Sequence, residues 1–184
     1  MKTQFTAIAL LLFTSLSQAD VWNGKAEITF DGTSTLHAWG GKVSADPFQA
    51  EVTMAEAVPQ QVASTVIVKA TKMDTAEAKR DEKMRESMQV TSHPLIQGDI
   101  NVKFSEIAPG GTPTQLPLTL NLLGKPQKVK AALSNWKHSG NKATFDLDFD
   151  LSLKKSGITV PTVLMFIKVG DTIKVHASVT LTQP

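Results

Sequence analysis

Apolar side chains recur at every second position through most of the chain. Ala26, Ile28 and Phe30 alternate with Glu27, Thr29 and Asp31, and Val66, Val68 and Ala70 alternate with Ile67, Lys69 and Thr71. Leu118, Leu120 and Leu122 alternate with Thr119, Asn121 and Leu123. The run Phe145, Leu147, Phe149, Leu151 and Leu153 is interleaved with Asp146, Asp148, Asp150 and Ser152. The run Ile173, Val175, Ala177, Val179 and Leu181 is interleaved with Lys174, His176, Ser178, Thr180 and Thr182. A period of two sends alternate side chains to opposite faces, so each run predicts a strand with one apolar and one wet face. Strands of this kind belong to antiparallel sheets rather than to parallel sheets buried on both sides. Turn signals separate the runs at Gly40-Gly41, Asp46-Pro47, Pro109-Gly110-Gly111, Gly124-Lys125-Pro126, Ser139-Gly140-Asn141 and Gly170-Asp171. The pattern gives about eight strands, the number at which a sheet closes into a small barrel and loses its unpaired edges.

One stretch departs from this pattern. Asp74 to Val90 is rich in Ala, Glu, Lys, Arg and Met, all good helix formers. Asp74 is placed to cap a helix, with Glu77 three residues on as in a capping box. Met73, Ala76, Met84 and Met88 form a loose apolar stripe, and Asp81 and Arg85 are spaced to pair. Ser92-His93-Pro94 ends the segment, because the residue before proline disfavours helical backbone. The expectation is a mainly β fold, with one amphipathic helix laid Met-side down on the sheet.

The N-terminus has a separate role. Lys2, the apolar run Ala7 to Phe13 and the small residues of Ser17-Gln18-Ala19 make the pattern of a secretory signal peptide over residues 1–19. The run is too short to span a bilayer, which takes about 20 apolar residues. Residues 20–184 are then a single domain, and no later stretch reaches membrane-spanning length. The signal, with no cysteine to pair, suits a bacterial periplasm or secretion beyond it.

Composition narrows the chemistry further. The 184 residues carry 19 Lys+Arg against 17 Asp+Glu, a net +2, with no basic cluster of the kind nucleic acid requires. The absence of cysteine removes thiol nucleophiles, iron–sulfur clusters and thiolate zinc sites. His37, His93, His138 and His176 lie at neither helical nor strand spacing from one another, so no local metal motif exists. Asp146, Asp148 and Asp150 share one face about 7 Å apart, but their alternation with Phe145, Leu147 and Phe149 marks a solvent face rather than a catalytic pair. No nucleophile elbow, phosphate loop or dinucleotide fingerprint is present. His37 and Trp39, in Gly32-Thr33-Ser34-Thr35-Leu36-His37-Ala38-Trp39, have two readings. Either they stand at a pocket mouth with the hydroxyls of Thr33, Ser34 and Thr35 as donors, or Trp39 simply packs a barrel end. The small inward residues Ala70, Ala131 and Ala177 suit either an apolar cavity or close packing.

The order of motifs resembles a known family. Gly32-Thr33-Ser34-Thr35-Leu36-His37, then Lys79-Arg80-Asp81 with Met84-Arg85, then Pro94-Leu95-Ile96 match its pattern. So do Leu118-Thr119-Leu120 with Gly124 and Lys128-Val129, and Ser156-Gly157-Ile158 with Pro161 and Ile167-Lys168-Val169-Gly170-Asp171. The resemblance is to the YceI-like family of periplasmic polyisoprenoid-binding proteins, and it runs over nearly the whole of residues 20–184. Ser156 stands where such sequences usually carry Phe, and Gln97-Gly98 replaces their usual Ile/Val-x-Phe. The resemblance implies an extended lipocalin-like antiparallel barrel covered by a helix. It implies an apolar long-chain isoprenoid or quinone-type lipid in the lumen, no catalysis and no catalytic cofactor, and a homodimer as one assembly. On this reading the lipid meets Val66, Val68 and Leu120, and Phe145, Leu147, Phe149 and Leu151. Val175, Ala177 and Val179 complete the wall, Met84 and Met88 reach in from the helix, and His37 and Trp39 stand at the mouth. The competing reading is a filled barrel that acts through its surface as a stress-related interaction module.

Overall fold

Each alternating run forms a strand over most of its length, though Ala70 and Thr71 lie in a short 3₁₀ turn (Ala70–Lys72) instead. The computed structural model describes residues 18–159, 162–163 and 167–184. The expected signal segment lies outside the described residues, except for Gln18 and Ala19, which open the first strand; Pro161 also lies outside them. In chain order the elements are β1 (Gln18–Thr33), β2 (Ala38–Ser44), β3 (Phe48–Ala55), β4 (Val58–Lys69) and helix α1 (Ala78–Ser87). They continue with β5 (Leu95–Lys103), the short α2 (Phe104–Ile107), β6 (Gln115–Leu122), β7 (Lys125–Ser139) and β8 (Lys142–Ser152). The two-residue strands β9 (Thr162–Val163) and β10 (Ile167–Lys168) precede β11 (Thr172–Thr182).

Eight strands close an antiparallel barrel in the order β1-β3-β4-β5-β6-β7-β8-β11, and β11 returns to β1 to complete the ring. β2 is the extra strand. The far edge of β1 is shared, its first half pairing with β3 (Gln18↔Met54 to Gly24↔Phe48) and its second with β2 (Glu27↔Ser44 to Thr33↔Ala38). β2 and β3 therefore run in one line along β1, broken at Ala45-Asp46-Pro47. There the Ala45 amide donates to Ala26 on β1 and the Asp46 amide to Ile67 on β4. Gly40-Gly41, expected as a turn, lies within β2. The β3–β4 turn instead uses Glu56 and Ala57, both left-handed at φ 51° and 64°, the conformation a two-residue hairpin needs.

The helix begins later than its composition suggests. Asp74 is held away from it by reciprocal backbone hydrogen bonds with Lys42 on β2. Its carboxylate accepts from the Ala76 amide, and Ala76 is left-handed and exposed rather than part of an apolar stripe. Glu77 is the true N-cap, accepting from the Lys79 amide. The expected surface pair of Asp81 and Arg85 does not form; Asp81 is buried and accepts from the Thr75 hydroxyl at 2.6 Å and the Thr75 amide at 2.9 Å. Arg85 reaches the Met73 carbonyl at 3.4 Å. The Thr75 hydroxyl chiefly, then its amide and the charges of Arg85 and Arg80, hold the Asp81 carboxyl below the usual carboxylate range against the opposing effect of burial.

The Thr75–Asp81 clasp ties α1 to the segment that precedes it. Asp81→Ala is expected to cost about 1–3 kcal/mol, because it strands buried donors. A folded pKa below the unfolded one contributes stability above the unfolded value of about 3.9, and that stability is lost as pH falls through the folded pKa. Denaturant unfolding of wild type and Asp81→Ala across pH 2–7 should therefore show the two curves converging at the acid end. A constant gap would remove the ionised carboxylate from the account.

Candidate functional site: a two-chambered apolar lumen

The inward faces of the strands do not meet in the middle. Two cavities of about 710 Å³ and 580 Å³ lie within the barrel. They share six lining residues, Ile28, Val68, Ile96, Leu120, Phe149 and Val175, one each from β1, β4, β5, β6, β8 and β11. The chambers therefore abut at a ring of apolar side chains part-way along one lumen. On β11 the lining runs from Ile173 to Leu181, about 27 Å of strand and roughly 20 Å along a barrel axis to which strands tilt by 35–45°.

Every sequence-predicted site residue faces this lumen. Val68, Leu120, Phe149 and Val175 belong to the shared ring. Leu151, Met84, Met88, His37 and Trp39 line the first chamber, and Val66, Phe145, Leu147, Ala177 and Val179 line the second. Of the three small residues only Ala177 borders the lumen, whereas Ala70 and Ala131 are 1% and 0% exposed in close packing.

The two readings of the His37 segment each hold in part. Trp39 packs against Phe30 with centroids 6.4 Å apart at 75°, and it also lines the first chamber. Two of the three hydroxyls, those of Ser34 and Thr35, take part in hydrogen bonds that hold the loop itself. Ser34 Oγ donates to the His37 carbonyl at 2.9 Å and accepts from the His37 amide at 3.2 Å, while Thr35 Oγ1 accepts from the Lys168 amide. Lys79, Arg80, Glu82, Lys83 and Ser87 of α1 give this end a polar rim.

The second mouth is where the sequence pattern misleads. β7 carries a bulge between Ser134 and Lys137, with Asn135 left-handed at φ 54°. A bulge inserts one residue and switches the facing of the residues beyond it. Leu133 points inward before it, and Trp136 and His138 point inward after it, so His138 lines the second chamber while staying exposed at its mouth. Trp136 stacks on Phe145 at 5.6 Å, and Trp22 meets His138 at 5.8 Å. All three tryptophans thus border the lumen. The left-handed tendency of asparagine before Trp136 is the signal that could have revealed this.

Outside the lumen the acidic strand is a wet face, as its alternation predicts. Asp146 accepts from Asn135 at 2.7 Å and Ser178 at 2.9 Å, which holds its carboxyl below the usual range, and Asp148 lies 2.8 Å from the His176 ring. A general acid needs the opposite shift. Among the described residues no group of three His, Cys, Asp or Glu side chains is placed to hold a metal ion.

A model of the YceI-like domain matches residues 20–181. The chain belongs to the YceI-like family. Its barrel is similar to the crystal structure of Burkholderia cenocepacia BcnA, with a TM-score of 0.65 and 13% identity over 84% of this chain and 95% of that one. It is also similar to a polyisoprenoid-binding domain from Saccharophagus degradans implicated in plant cell wall breakdown, with a TM-score of 0.59, 11% identity, and coverage of 91% and 100%. A mutant CJ YCEI protein made for nanotechnology gives 0.52 at 11% identity, with coverage of 100% and 94%. At such identities the likeness is one of fold. No curated protein matches the chain.

The open volume of this YceI-like barrel makes a mechanical prediction. Added methylenes in a packed core cost about 1–3 kcal/mol. Ala177→Phe places its ring in open volume instead, so its unfolding free energy should stay within about 1 kcal/mol of wild type. An apolar dye that fluoresces in the wild-type lumen should lose signal in this variant. A large loss of stability with unchanged dye binding would mean that the second chamber is filled.

Proposed function

We propose that this YceI-like protein carries or stores a long isoprenoid- or quinone-type lipid in its lumen, in the periplasm, and performs no chemical step on it. The observation that carries this reading is the pair of chambers joined at an all-apolar ring. A tail threading them gains about 0.8 kcal/mol for each CH₂ removed from water, and the ring holds no polar side chain that would need a partner. The polar rim that α1 gives one end suits a molecule with one wet end and a long dry body. The description of the Saccharophagus degradans relative as polyisoprenoid-binding agrees with this class of ligand. The signal pattern over residues 1–19 and the lack of cysteine support an export route.

A chemical step finds little support. His37 is exposed, and among the described residues its ring meets no carboxylate that would orient it as a base. The reading as a filled barrel acting only through its surface runs against the open lumen.

Organic extraction of the purified protein, then mass spectrometry, should release a long-chain lipid in near-stoichiometric amount. Val175→Trp, which closes the shared ring, should reduce the yield at least several-fold while leaving the β circular-dichroism spectrum unchanged. Lipid-free extracts from repeated native preparations, or a full yield from Val175→Trp, would overturn the reading.

A further inference from the structure

Four glycines face inward from within strands: Gly24 and Gly32 on β1, Gly41 on β2 and Gly98 on β5. Glycine in a strand costs backbone entropy and packs nothing, so each one needs a reason. For three of them the reason is an aromatic ring of the protein itself. A Cβ at Gly24 would fall within the ring of Phe48, one at Gly32 within the indole of Trp39, and one at Gly41 within the ring of Phe30. The bare Cα in each case is a seat for a flat group.

Gly98 is a seat with nothing on it. The atoms nearest to a Cβ built there are Leu118 Cδ1 and Leu120 Cδ2 at 3.6 Å and the Val66 carbonyl oxygen at 3.9 Å. These are ordinary contacts, and its φ is not positive, so alanine would fit and the backbone does not require glycine. Yet Gly98 is buried and lines the second chamber, one inward position along β5 from Ile96 of the shared ring. Its cross-strand partners Val66 and Leu120 also line the lumen. The bare Cα therefore opens onto the lumen, where a bound molecule would lie.

We propose that Gly98 is a specificity-determining slot, on which the occupant of the lumen lays a planar unsaturated segment as Phe48, Trp39 and Phe30 lie on their glycines. This rests on the lipid-binding reading and names the position at which the wall distinguishes an isoprenoid chain, with its spaced sp² carbons, from a saturated one. A trisubstituted double bond presents a flat face that approaches a bare Cα closely. A saturated chain carries hydrogens out of every plane and stands further off.

The test uses the full chain freed of bound lipid, with its three lumen tryptophans as reporters. Geranylgeraniol and its fully saturated counterpart are titrated against wild type, Gly98→Ala and Gly98→Phe. Wild type should bind the unsaturated alcohol about five- to tenfold more tightly, the difference a flat packed contact supplies. Gly98→Ala should erase that preference while its melting temperature holds or rises, since alanine suits a strand better than glycine. Gly98→Phe, which brings its own ring to the seat, should weaken both alcohols. Equal binding of the two alcohols by wild type, or an intact preference in Gly98→Ala, would overturn the slot and leave the lipid reading standing. Failure of wild type to bind either alcohol would overturn both.

Discussion

The seam between β1 and β11 is the constraint on which the rest of the molecule depends. It pairs Asn23↔Thr182 through Asp31↔Lys174 and turns a curled sheet into a closed wall. Because facing alternates residue by residue, a slip of one position would turn Ala26, Ile28 and Phe30 outward and the charges of Glu27 and Asp31 inward. The seam therefore sets which side chains see the lumen on both strands that meet there. The opposite edge of β1 is shared between β2 and β3, and the break between them at Ala45-Asp46-Pro47 is held by amide hydrogen bonds to both β1 and β4. β2 continues past the closed ring and, with its Lys42–Asp74 bridge, ties the segment before α1 to the wall.

Closure alone does not make a hollow. A barrel of this size can be filled by its own side chains. Here the inward set is dominated by Val, Leu, Ile and Ala, and several of the large rings are laid flat. Phe48, Trp39 and Phe30 cover glycines on the wall instead of reaching across the axis. The same trade of bulk for glycine that draws these rings onto the wall leaves the centre open, and two chambers result. Gly98 extends that pattern to a position where the protein supplies no ring.

Much of this was legible in the order of apolar positions. The alternating runs contain the inward residues of β1, β4, β6, β8 and β11, and every candidate lining residue named from them faces the lumen. The hidden features depended on contacts distant in sequence or on backbone conformations that side-chain alternation does not register. Helix propensity over Asp74–Val90 takes no account of the hydrogen bonds from Lys42 that hold Asp74 in an extended bridge. Asp81 looked like half of a surface ion pair, but Thr75 captures it. Glu56-Ala57 forms a left-handed turn without the Gly or Asn that usually announces one. The bulge at Asn135 reverses parity within β7, so counting by twos assigns Trp136 and His138 to the wrong face. Gly98 is marked in the sequence as a glycine inside a strand and as a departure from the family's usual pattern, but that no ring covers it depends on residues of β4 and β6.

The central claim is that one molecule occupies one continuous lumen. The most direct measurement is a crystal structure of the protein purified from its native compartment without delipidation. The account predicts a single extended chain of density that passes between Phe149 and Val68 through the shared ring and occupies both chambers. Side chains collapsed into the lumen, or ordered water filling both chambers, would contradict it.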